Sequence, residues 1–303
     1  MAIPLPLTDS HAPEVPLHHL DQLWFQLAGT ICNYTCRHCF ISCSPHNHSF
    51  DFLSWREVEP WLDESVKFGV REYYFTGGEP FLNPEATTII ERTLEYGPAS
   101  VLTNASVLRD EWLKRLRAAE DRSGYSLEWR VSLDGFTPEM NDPIRGEGTF
   151  ERTMCGVRRL IEYDFLPIIT VTVVDETAET TELFDGFVKM LRDMGYSRPR
   201  LKILPPLRIG AEADRCRGYA PDERVTAEML ADFDMQQLLC SHARLVSDRG
   251  VHVCPILLEA PDSVLGQSLM EASRPFALRY QACWTCYQHG SICSNPSGSL
   301  RDG

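Results

Sequence analysis

Along the first two-thirds of the chain, short apolar runs alternate with segments whose apolar positions recur at helical spacing. Residues 23–27, 72–75, 100–102, 127–132, 168–174 and 200–204 read as six strands. The run 168–174 is rich in β-branched residues, the pattern of a strand covered on both faces. Residues 54–68, 84–96, 110–120, 149–163 and 180–194 read as helices. The first helix starts at Ser54, with Glu57 three positions on, and stops at Gly69. This alternation predicts an α/β fold: a parallel sheet with helices outside, either open or curled into a partial (β/α)6 TIM-like barrel. In both forms the site belongs at the carboxyl ends of the strands.

After about residue 210 the pattern weakens. Residues 222–237 predict one more helix. Residues 238–303 predict loops organised by a metal more than by a core. Prolines at 4, 6, 13 and 16 predict an extended, mobile arm. The expected organisation is an arm (1–20), a core (21–210) and a small Cys-rich extension (211–303).

Composition narrows the class. The chain has 303 residues, 43% apolar and 24% charged, enough to bury a sizeable core. A net charge of −14 argues against a nucleic-acid partner. No apolar run is long enough to cross a membrane, and residues 1–20 lack the pattern of a secretion signal. A cytoplasmic protein is therefore expected. Eleven cysteines, an odd number, argue for metal rather than a disulfide framework. Four lie in 32–43 and five in 240–293, which predicts two metal sites.

The first group carries the most chemistry. Cys32, Cys36 and Cys39 follow the first strand in the order C-x-x-x-C-x-x-C. Three thiolates at this spacing can hold an iron–sulfur cluster and leave one iron open to a substrate or cofactor. Zinc is the alternative, with Cys43, His46 or His48 as fourth ligand. Thr76-Gly77-Gly78-Glu79-Pro80 follows the second strand, where the glycines permit close backbone approach and the carboxylate can grip an ammonium. Asn104 ends the third strand. Ser132 and Asp134, at the end of the fourth, share one face. Arg145 offers a planar, bidentate hold on a carboxylate. Each of these also reads as an ordinary turn or loop residue.

Together the cysteine spacing, the Gly77-Gly78-Glu79 run and the Ser132/Asp134 segment resemble the radical S-adenosylmethionine (radical SAM) superfamily, over about residues 20–210. The resemblance implies that Cys32, Cys36 and Cys39 bind three irons of a [4Fe–4S] cluster and that the fourth iron chelates SAM. It implies reductive cleavage of SAM to methionine and a 5′-deoxyadenosyl radical, which takes hydrogen from substrate. It further implies that Thr76 to Pro80 hold the SAM amino group and that Ser132 and Asp134 face its ribose and carboxylate. Asn104 stands where relatives have Thr-Asn-Gly. Arg145 is expected against the SAM carboxylate, and His38 on the adenine. An electron donor such as flavodoxin or ferredoxin is implied as partner.

Cys240, Cys254, Cys283, Cys286 and Cys293 resemble the SPASM and shorter twitch extensions of radical SAM maturases. Five cysteines are too few for a full SPASM extension, so one auxiliary [4Fe–4S] cluster is implied. Its ligands would be Cys254, Cys283 and Cys286, with Cys240 or Cys293 as the fourth. Zinc is again the alternative, and with it a non-catalytic scaffold. The substrate is open between a small molecule and a peptide, as in maturases. The short arm leaves no room for a leader-binding domain before the core, which tilts towards a small molecule or a peptide bound without one. Cys155 and Cys216 could serve as hydrogen donors, and Lys202 and Arg208 could face substrate.

Overall fold

The computed structural model describes residues 12–174 and 180–293. The chain begins with strands β1 (Glu14–Val15) and β2 (Gln22–Gln26), helix α1 (Trp55–Phe68), β3 (Glu72–Thr76), α2 (Ala86–Thr93) and β4 (Ala99–Thr103). It continues through α3 (Asp110–Arg122), β5 (Leu127–Ser132), α4 (Pro138–Arg145), α5 (Thr149–Glu162), β6 (Ile168–Thr172), α6 (Thr180–Asp193) and β7 (Arg200–Leu204). Then come α7 (Ala211–Arg215), β8 (Ala243–Ser247), β9 (Gly250–His252), β10 (Val264–Gly266), β11 (Phe276–Ala277) and α8 (Ala282–His289).

Strands β2 to β7 lie side by side in chain order, and all are parallel. The outer helices form for the reasons their sequence gives. At the start of α1 the Glu57 carboxylate accepts from the Ser54 N–H (2.7 Å) and hydroxyl (2.6 Å), and Gly69 ends it with φ +70°. Each helix turns an apolar stripe to the sheet, such as Val58 and Leu62 of α1, Leu113 and Leu116 of α3, and Phe187 and Leu191 of α6, all buried. Full burial of such a side chain contributes about 1.5–3 kcal/mol, so packing rather than propensity holds these helices. The opposite face of the strands carries Trp24, Leu102, Arg130, Ser132, Thr170 and Lys202, which line a cavity. This is the α/β architecture that the alternation predicts.

Four features depart from expectation. Residues 222–237 form turns, with a single 3-10 turn at Met235–Gln237, rather than a helix. Their buried apolar side chains, Val225 and Leu230, lie five residues apart, a spacing that one helical face does not hold. The Cys-rich segment is not only loops: β8 joins the sheet parallel to β2, and β9 and β10 extend it antiparallel. β8 was hidden by Arg244, which is fully buried and donates to the carbonyls of Cys240, Ala243, Ala272 and Arg274. Residues 12–20 are extended but anchored, because β1 pairs with β11 and Val15 is buried. The stretch around Arg145 is a helix, α4, despite Pro138 and Pro143.

Candidate functional site

β2 delivers the chain into the cysteine loop, and three neighbours fix that loop. The Gly78 N–H donates to Gly29 O (3.1 Å) and the Glu79 N–H to Ile31 O (3.0 Å). A Cβ on Gly78 would lie 2.0 Å from Ile31 O, so the close approach requires glycine. From α4, Ile144 O accepts the Arg37 N–H (2.8 Å); from α7, the Ala211 N–H donates to Cys39 O (3.0 Å).

Held this way, Cys32, Cys36 and Cys39 line one cavity of about 220 Å³ at the carboxyl ends of the strands. Cys43 lines it too, and its N–H donates to Cys39 Sγ (3.3 Å). Burial pushes the Cys32 thiol up to about 12 and the Cys36 thiol up to about 11. Cys39 is drawn down to about 6, first by its hydrogen bond with Cys43. Buried thiols of this kind ionise beside a strong positive charge, which iron supplies. All eleven cysteines are free thiols. Three soft donors around one space, on a loop held from three sides, fit a cluster with three protein ligands. Among the described residues, no three His, Cys, Asp or Glu side chains converge on a single metal ion.

Asp134 organises the next layer. Its carboxylate lies 2.6 Å from Arg145 Nε and 2.8 Å from His38 Nε2, and it accepts the Thr172 N–H (2.9 Å). Burial by itself would raise this carboxyl, but Arg145 and then His38 hold it well below the usual range. Asn141 of α4 accepts the Asp134 N–H (3.1 Å), which ties the helix to the end of β5. Thus Asp134 holds two cavity-lining side chains in place.

Glu79 plays a similar inward part. Its carboxylate accepts from Thr103 Oγ1 (2.7 Å), the Asn104 N–H (2.7 Å) and the Phe81 N–H (3.2 Å), and the residue is fully buried. Burial pushes it up to about 7, against those hydrogen bonds. Its carboxylate clamps the ends of β3 and β4 together. Asn104, so fixed, donates to Asn33 Oδ1 (3.0 Å) and lies 3.9 Å from Cys32 Sγ.

Of the residues singled out in the sequence, Cys32, Cys36, Cys39, His38, Thr76, Gly77, Gly78, Asn104, Ser132 and Arg145 line the one cavity. Glu79, Pro80 and Asp134 are buried behind its wall. A second, small cavity is lined by Cys240, Cys254, Cys283 and Cys286 among Leu238, Val253, Leu257 and Phe276. Cys293 lines the large cavity instead, although it is near enough to Cys286 to raise that thiol further, after burial. Arg208 pairs with Glu223 (2.8 Å), and Cys155 is exposed on α5. The sequence reading passed over Trp24, Arg130 and Thr170, which also line the large cavity. The signal was available for Arg130: strand alternation puts it on the same face as Ser132.

A family model described as the Radical SAM superfamily matches residues 27–191, more than half of the chain. The protein therefore belongs to the radical SAM superfamily. It is 31% identical to the AdoMet-dependent heme synthase of Methanosarcina barkeri, over 63% of this chain and 52% of that one. It is 28% identical to the mycofactocin maturase MftC of Mycobacterium ulcerans, over 82% of this chain and 62% of the relative. Over the subtilosin biosynthesis protein AlbA of Bacillus subtilis it is 26% identical, covering 60% and 38%. The chain thus spans about half the length of these relatives. Among solved structures, SuiB of Streptococcus suis bound to the precursor peptide SuiA shares the fold, with a TM-score of 0.61 at 13% identity over 82% of this chain and 62% of SuiB. Membership implies a [4Fe–4S] cluster and SAM as cofactors. Among the described residues, no helix is long and apolar enough to cross a membrane.

Proposed function

We propose that this enzyme cleaves SAM reductively at a [4Fe–4S] cluster held by Cys32, Cys36 and Cys39, and that it modifies a peptide with the help of one auxiliary cluster. The observation that carries the reading is the convergence of the three thiols, the Gly77-Gly78 backbone and Arg145 on one cavity at the strand ends. When bound, the cluster supplies the electron that breaks the SAM sulfonium bond, giving the 5′-deoxyadenosyl radical that takes hydrogen from substrate. The protein's part is placement and shielding. Gly77 and Gly78 bring backbone carbonyls close to the amino group. Arg145, oriented by Asp134, meets the carboxylate. Asn104 and Ser132 face the ribose, and His38 packs on the adenine. The cavity wall keeps water and oxidants from the radical.

Cys240, Cys254, Cys283 and Cys286 are assigned as the auxiliary ligands, because they share one cavity. A peptide substrate is favoured by the similarity to MftC, which runs beyond the family core into the Cys-rich segment. A small-molecule substrate is the second reading, favoured by the 31% identity to a heme synthase. The test is anaerobic reconstitution, iron and sulfide analysis, and assay of 5′-deoxyadenosine with dithionite. About eight irons per chain and SAM cleavage are expected. A colourless, zinc-loaded protein that forms no 5′-deoxyadenosine would end the reading. Co-expression with short peptides encoded nearby, followed by mass spectrometry, separates the two substrate classes.

A further inference from the structure

Where β2 and β5 to β7 line the large cavity, the wall carries hydrogen-bond donors. Ser132, Thr170 and Lys202 are register partners across β5, β6 and β7, and all three line the cavity. Arg130 stands two residues before Ser132 on the same face, and Trp24 lines the cavity from β2. Trp24 and Arg130 are only 1% and 2% exposed. Yet Trp24 Nε1, Arg130 Nη2 and Thr170 Oγ1 have no hydrogen-bond partner among the described residues.

The rest of Arg130 is engaged. Its Nε pairs with Glu128 (3.0 Å), and Nη1 donates to Cys293 O (2.7 Å). Glu128 also pairs with Arg200 (2.9 Å). Arg130 and Arg200 thus share a single carboxylate. Burial pushes the Lys202 ammonium down to about 8.

A buried donor without a partner is costly, and native proteins rarely leave one so. An indole and a guanidinium can only donate; an ammonium likewise. The complementary group is small, anionic and acceptor-only. A carboxylate, with about four lone-pair sites, matches the three orphaned donors of Trp24, Arg130 and Thr170, with the Lys202 side chain on the same cavity wall. We propose that these four residues form a carboxylate-binding subsite that anchors the substrate in the cavity. The proposal rests on the reading above only in assigning the cavity to substrate. SAM's own carboxylate is assigned to Arg145, at the strand ends.

The test uses cluster-loaded protein saturated with SAM and labelled with 5-fluorotryptophan. The Trp24 fluorine resonance is assigned with Trp24→Phe. Glutarate, its neutral diamide glutaramide, N-acetylglutamic acid α-amide and inorganic phosphate are titrated separately. Carboxylate probes should shift the Trp24 resonance saturably, and glutaramide should not. Tighter binding of the acetylglutamate amide assigns an acidic peptide side chain; tighter binding of glutarate assigns a free small acid. Lys202→Met should weaken the preferred probe about tenfold, the loss of one charged hydrogen bond, and Lys202→Arg should restore most of it. Retained dispersion of the other five tryptophan signals reports an intact fold. Equal response to glutarate and glutaramide, response to phosphate alone, or no saturable shift overturns the subsite. Formation of 5′-deoxyadenosine without any Trp24 shift sinks the subsite alone. A Trp24 shift in a protein that never cleaves SAM sinks the functional reading alone.

Discussion

The two cysteine groups use the same side chain in opposite surroundings. Cys32, Cys36 and Cys39 come from one short loop and share a roomy cavity with Asn104, Ser132, Arg145 and Lys202. Cys240, Cys254, Cys283 and Cys286 come from three separate segments and meet in a small pocket of Leu, Val, Ile and Phe side chains. The first site has polar partners and space for a second ligand beside the thiols. The second is lined by hydrocarbon and four thiols. The contrast teaches that, on the proposed function, thiol count and local polarity, rather than spacing alone, would separate a site for chemistry from one for structure or electron transfer.

The largest expected effect tests that division directly. Cys36→Ala should lower SAM cleavage by at least about a thousandfold, an effect of roughly 4 kcal/mol, whereas Cys283→Ala should retain measurable 5′-deoxyadenosine formation while losing product. Equal, complete loss in both, with circular dichroism unchanged, breaks the division. Next, the double change Cys254→Ala with Cys283→Ala should lower iron from about eight to about four per chain. Loss of all iron by elemental analysis would mean the two sites assemble as one.

Glu79 sharpens the comparison through pH. Its folded value of about 7 lies above its ordinary 4.5, so its favourable contribution is complete below about 4.5 and lost as pH rises through about 7. Across that window the cost is roughly 3 kcal/mol. Glu79→Gln should gain about that much relative to the native protein between pH 4.5 and 8, by urea denaturation; parallel curves would mean the carboxylate is not desolvated as described. Gly78→Ala should cost about 2 kcal/mol through its contact with Ile31 and weaken cluster retention at the first site only. At the start of α1, Ser54→Ala should cost about 1 kcal/mol and leave both iron counts unchanged.

Much of this arrangement was legible in the residues. The strand–helix alternation fixed where each motif would emerge, so the cysteine loop, Gly77-Gly78, Asn104 and Ser132 could be placed at the strand ends before any contact was known. What escaped was side-chain destination. Glu79 sits beside exposed carbonyls in sequence, yet it turns inward to Thr103 and Asn104. Asp134 grips Arg145 and His38, and the first contact depends on α4, a helix masked by its two prolines. Arg244 made β8 look polar, because its satisfaction by four distant or local carbonyls leaves no trace in the pattern.

The insertion of β8 beside β2 sets an order on biosynthesis. β2 leaves the ribosome before both of its partners, and β3 soon covers one of its edges. The other edge waits for residues 243–247. At typical translation rates that interval is on the order of ten to forty seconds. Through it, a nascent chain exposes an unpaired strand edge carrying Leu23, Trp24 and Phe25, a template for pairing with its neighbours on a polysome. Yield in a host should therefore depend on elongation rate and on chaperones that mask this edge, more than on the stability of the finished protein.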